Sequence, residues 1–117
     1  MNRADFINVA EEALDLLPEE FRSRIENVAI LVEDRPPNQP RSQHRQSHLL
    51  LGIFHGVPAT KKSVFDMSSG PAHIVLYQKN IEAVCSTETE VRYQIRQTLM
   101  HELGHYFGMT EEELRDV

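Results

Sequence analysis

A single cysteine, Cys85, in 117 residues leaves no partner for an internal disulfide, so the chain suits a reducing compartment. Long apolar runs are missing as well. Nothing approaches the roughly twenty residues that cross a bilayer, and Met1-Asn2-Arg3-Ala4-Asp5 is not followed by the apolar stretch of an export signal. These absences predict a cytoplasmic protein that does not engage a membrane. Basic charge is scarce, with 12 Lys and Arg against 18 Asp and Glu and a formal net charge of −6. A chain so acidic is a poor match for general nucleic-acid binding, which draws on a basic face. What remains is one domain spanning residues 1–117, long enough for a modest core.

The chemistry concentrates near the end, in His101-Glu102-Leu103-Gly104-His105-Tyr106-Phe107-Gly108-Met109-Thr110-Glu111. His101 and His105 are four residues apart, so on a helix they leave one face together and can grip one ion. Glu102 lies one step round, within reach of a water proton without joining the ligands. Gly108 sits where the helix must stop and the chain turn back, and three residues later Glu111 offers a carboxylate. The set reads as a zinc hydrolase site. Two solvated histidines would satisfy the bare spacing, but a solvated helix end would be charged. Here Leu99, Met100, Leu103, Tyr106 and Phe107 make the surroundings apolar.

For a third ligand the choice is among Glu111, Glu112, Glu113, Asp116 and an upstream group. Glu111 is preferred because the turn at Gly108 brings that register back, whereas Glu113 pairs with Thr110 as a capping box. The plain alternative for Glu111 is dipole complementation in a short final helix that carries Leu114.

These residues resemble the minimal zincin metallopeptidase-like family, short bacterial proteins with H-E-x-G-H-x-x-G-x-x-(D/E) near the C-terminus. The step from Gly108 to Glu111 also follows the register in which metzincins place a third ligand. Leu49-Leu50-Leu51-Gly52-Ile53-Phe54-His55-Gly56-Val57-Pro58 is similar to the family's L-L-G-hydrophobic-x-x-G-V-P segment, and Ile74-Val75-Leu76-Tyr77 to its following strand. The resemblance implies an α+β, zincin-like fold: a small mixed sheet of about three to four strands packed against helices, with the motif on a long C-terminal helix. It implies a zinc cofactor and no particular natural substrate. The core His-Glu-Leu-Gly-His also resembles metallopeptidases linked to phage-repressor cleavage. Those take a third ligand from far beyond the motif, and this chain ends too soon to supply one.

Along the chain, Phe6, Val9, Ala10, Ala13, Leu14 and Leu17 recur at three- and four-residue steps and predict an amphipathic helix over residues 3–17. Pro18 suits the first turn of a second, with Glu19 and Glu20 complementing its dipole and Phe21 and Ile25 facing the core. Val28 to Val32 is a continuous apolar run and predicts a buried strand. Residues 35–47 are polar and proline-rich, with three arginines and a histidine, and read as a loop. His48 to Phe54 predicts a second strand, in which Gly52 marks a bulge or the close approach of another backbone.

Residues 59–70 read as polar turns around Val64, Phe65 and Met67. His73 to Tyr77 is a third strand, and Ile81 to Cys85 a short helical turn. Thr87 and Glu90 form a capping box for a helix of roughly twenty residues, about 30 Å long. Its core stripe is Val91, Ile95, Leu99, Leu103 and Phe107, with His101 and His105 well off it. Of the scattered histidines His44, His48, His55 and His73, the two at strand ends, His55 and His73, are the candidates for a supporting role beside the metal. Cys85 reads as a buried thiol.

The expected reaction is hydrolysis of a peptide amide. His101, His105 and Glu111 hold zinc, Glu102 takes the proton of the attacking water and returns it to the leaving amine, and Tyr106 or a loop histidine assists the oxyanion. The partner is a peptide or protein substrate, laid as an added strand beside whichever later strand is a sheet edge. The rival is a zinc-dependent structural or peptide-binding module, in which the metal pins the C-terminal turn and the groove merely holds a partner.

Overall fold

The computed structural model describes residues 1–22, 28–37, 49–55 and 72–108. Expectations for Ile25, for the arginine-bearing loop from residue 38, for residues 59–70 and for residues 109–117, Glu111 and the Thr110 capping box included, lie outside those residues. The described elements run α1 (Arg3–Asp15), α2 (Glu19–Arg22), β1 (Ala29–Glu33), β2 (Gly52–His55), β3 (His73–Tyr77), α3 (Gln78–Ala83) and α4 (Glu88–Tyr106). The class is α+β, as the sequence predicts.

The three strands form a mixed sheet in the order β1-β3-β2. β1 pairs parallel to β3, with Ala29 opposite His73 and Glu33 opposite Tyr77, and β2 pairs antiparallel, with Gly52 opposite Leu76 and His55 opposite His73. β3 is therefore central, and among the described residues β1 and β2 are the edges. α1 and α4 pack on each other and on the sheet. Between them lies the core of Phe6, Phe21, Ile74, Leu76, Ile81, Ile95, Leu99 and Leu103, all essentially inaccessible.

Local chemistry explains the helix boundaries. The Asn2 side chain accepts from the Asp5 amide at 2.7 Å and starts α1. Thr87 Oγ1 accepts from the Glu90 amide at 3.1 Å and starts α4. The Glu90 carboxylate reaches back to the Ser86 amide, one residue earlier than in the usual capping box. α4 ends at Tyr106, with Phe107 as its cap, and Gly108 follows with a φ of 78°, in the left-handed region. There its N–H donates to the His105 carbonyl at 3.0 Å, and a residue with a Cβ would be strained.

Several expectations need correction. β1 is not buried: Ala29, Leu31 and Glu33 are exposed and alternate with half-buried Ile30 and Val32. An unbroken apolar run does not reveal whether one face or two are covered, and here only one is. The second strand begins at Gly52, because its partner β3 ends at Tyr77, whose N–H makes the last bond of the ladder to the Leu51 carbonyl at 2.9 Å. Before it the Leu50 carbonyl accepts from Asn80 of α3 at 2.8 Å, and His48 lies outside the described residues. The helical turn expected at Ile81 is the end of α3, which starts directly after β3 at Gln78. Cys85 is half-buried against the core rather than enclosed.

Candidate active site on the last long helix

α4 carries three stripes that are four residues apart within each. Val91, Ile95, Leu99 and Leu103 are buried in the core. Gln94, Thr98, Glu102 and Tyr106 make up the stripe that meets β2. Gln97, His101 and His105 make up the third, where His101 is half-buried and His105 exposed. One face is locked by packing while its neighbours present polar groups to a groove, which is how a rigid scaffold holds functional side chains in place.

On the third stripe the Nε2 atoms of His101 and His105 stand 3.0 Å apart, the rings edge to face at 82°. Two nitrogens each about 2.0–2.1 Å from a tetrahedral zinc would be separated by about 3.3 Å. The spacing on α4 therefore fits two ligands of one ion, and neutral imidazoles are suitable donors. Among the described residues no third His, Cys, Asp or Glu side chain joins them, and Glu111 lies outside those residues.

On the second stripe Glu102 is half-buried, and its Oε2 accepts a hydrogen bond from the Phe54 amide of β2 at 3.3 Å. The Phe54 ring stacks on Tyr106, centroids 4.4 Å apart and planes at 29°. Tyr106, expected as an aid to an oxyanion, is thus a buried packing partner of the strand. Between β2 and α4 runs a groove of about 300 Å³, walled by Leu49, Leu50, Gln94 and Gln97 and reaching His101 and Glu102. His55 and His73 stack on each other at 4.9 Å, and neither is among the described residues that line the groove.

Four contributors went unrecognised in the sequence. The Phe54 amide could not be read there, because a backbone donor leaves no trace in residue identity. Asn80 is almost inaccessible, yet its neighbours Gln78, Lys79 and Glu82 are polar, so nothing in the sequence marks it. Gln97 and Gln94 fall about one and two helical turns before the motif, a spacing that could have flagged them. Gly52, by contrast, carried its signal: an interior strand glycine implies a close approach.

A conserved hypothetical protein from T. thermophilus shares the fold, with a TM-score of 0.59 over 92% of this chain and 94% of that one at 21% sequence identity. No curated protein matches. The profile of the zincin-like metallopeptidases matches residues 25–117, and the chain belongs to that family.

Proposed function

We propose that this protein is a zinc-dependent peptidase in which His101, His105 and Glu111 hold the metal and Glu102 is the general base. The observation that carries the reading is the 3.0 Å approach of the two Nε2 atoms at the end of a groove that also contains the Glu102 carboxylate. Zinc bound by such donors acidifies water and offsets negative charge on a carbonyl oxygen. Glu102 takes up the water proton and delivers it to the leaving amine. A carboxylate has about four acceptor sites. The Phe54 amide occupies one, holding the group in place and leaving others for water. β2, an edge strand among the described residues and beside the groove, is the side on which an extended peptide would add.

The test pairs metal content with turnover. Elemental analysis of purified wild type should give one zinc per chain, and His101→Ala, His105→Ala and Glu111→Ala should each lower it. A fluorogenic peptide library should show turnover that Glu102→Gln abolishes while zinc stays bound. Zinc uptake without turnover, together with unfolding on chelation, would instead support the structural or peptide-binding module. Failure to take up zinc at all would end both readings.

A further inference from the structure

We propose that Gly52 is a positioning residue for Glu102. Lacking a side chain, it lets β2 settle against Thr98 closely enough that the Phe54 amide, two residues on, reaches the carboxylate. The functional half of this statement rests on the general-base role proposed above.

β2 and α4 keep step. Two residues of strand advance about 6.7 Å, and four residues of helix about 6 Å. Gly52 therefore lies at the level of Thr98, the Phe54 amide at that of Glu102, and the Phe54 ring close to Tyr106. Alternation along the ladder gives the amide its direction. The Tyr77 N–H donates to the Leu51 carbonyl at 2.9 Å, so the groups of Leu51 and Ile53 face β3 while the amides of Gly52 and Phe54 face away. Among the described residues β2 is an edge strand, and its outward amide at Phe54 donates to Glu102.

The spacing leaves no room for a methyl group. A Cβ at position 52 would lie 2.9 Å from Thr98 Cγ2, 3.0 Å from the Val75 carbonyl oxygen and 3.2 Å from Leu76 Cδ2. Leu76 Cδ2 is a chain end and can rotate away. Thr98 is buried and stiff about χ1, and the Val75 oxygen belongs to the backbone of the central strand. Relief must then come from β2 lifting off α4. The Phe54 to Glu102 bond, already at 3.3 Å, tolerates little lengthening before it ceases to be a hydrogen bond.

The experiment uses the full chain loaded with zinc and reads the Phe54 amide by NMR hydrogen exchange beside peptide kinetics. In wild type, Glu102→Gln should change the exchange rate and resonance position of that amide. In Gly52→Ala the amide should exchange at least about tenfold faster and no longer respond to Glu102→Gln. Zinc content should be unchanged, and kcat should fall about tenfold to a hundredfold at constant KM, the scale of a misplaced base. Adding Thr98→Ser, which removes Cγ2 and keeps the hydroxyl, should restore part of both. The double variant also carries the measurement should Gly52→Ala alone fail to fold.

Undiminished protection of the Phe54 amide in Gly52→Ala would overturn the proposal, as would a loss confined to KM or a double variant no better than the single one. Absence of turnover in wild type would instead sink the peptidase reading. The amide exchange would still decide whether Gly52 sets Glu102.

Discussion

β1 and β2 flank the same central strand, yet β1 runs parallel to it beside α1, whereas β2 runs antiparallel along α4. β1 turns Leu31 outward at 47% exposure, and Arg3 of α1 ties its end down through the Val32 carbonyl and the Asp34 carboxylate. β2 has only four residues, but one of its amides holds Glu102, one of its rings packs on Tyr106, and its first residue touches Thr98. Hydrophobicity does not separate the two. Position relative to α4 does, since a strand beside the motif helix can donate backbone groups to the motif and a strand beside α1 cannot.

The sharpest way to break this comparison is at the contact between β2 and the motif. Glu102→Gln should lower kcat by about 10²–10⁴-fold, the usual contribution of a general base, with zinc content preserved. A variant that kept its turnover would reduce β2 to scaffold, like β1. Next comes Asn80, which fastens the segment leading into β2 through the Leu50 carbonyl. Asn80→Ala leaves that acceptor without its donor and should cost about 1–3 kcal/mol in urea denaturation.

β3 links the two edges and supplies a pH test. Burial first, and the Glu33 carboxylate of β1 second, push the Tyr77 phenol above its ordinary 10.0. The unfolded chain therefore loses that proton at lower pH than the folded one. The stability tied to the neutral phenol is complete below about pH 10 and declines as pH rises through the folded value. Tyr77→Phe should flatten this decline above about pH 10 in thermal melts, and Glu33→Gln, which removes the smaller of the two causes, should make it slightly shallower overall. Smallest of all, Leu31→Thr on β1 should alter stability by no more than about 0.5 kcal/mol and leave turnover untouched. A larger loss would mean that β1, too, bears on the site.

Much of this was legible in residue order. Periodicity marked α1 and α4, because a helix that buries one stripe must repeat its apolar residues at three and four. The α4 cap and the stop at Gly108 were legible because each depends on neighbours within a few positions. The one-sided burial of β1 was not, since an apolar run reads the same whether one face or two are covered. The start of β2 was missed because the strand stops where its partner β3 gives way to α3 at Tyr77, a limit set 26 residues after Leu51.

For the candidate site, the sequence by itself determined that two imidazoles and a carboxylate share one helix at a spacing suited to a single ion, because helical geometry is local and follows from residue number alone. Only the tertiary structure decided which strand lies against that helix, which amide reaches Glu102, and that a glycine at position 52 makes the approach possible. Those contacts join residues 46 and 48 positions apart, Gly52 with Thr98 and Phe54 with Glu102. Backbone donors and missing side chains acquire their meaning only when the fold brings something next to them.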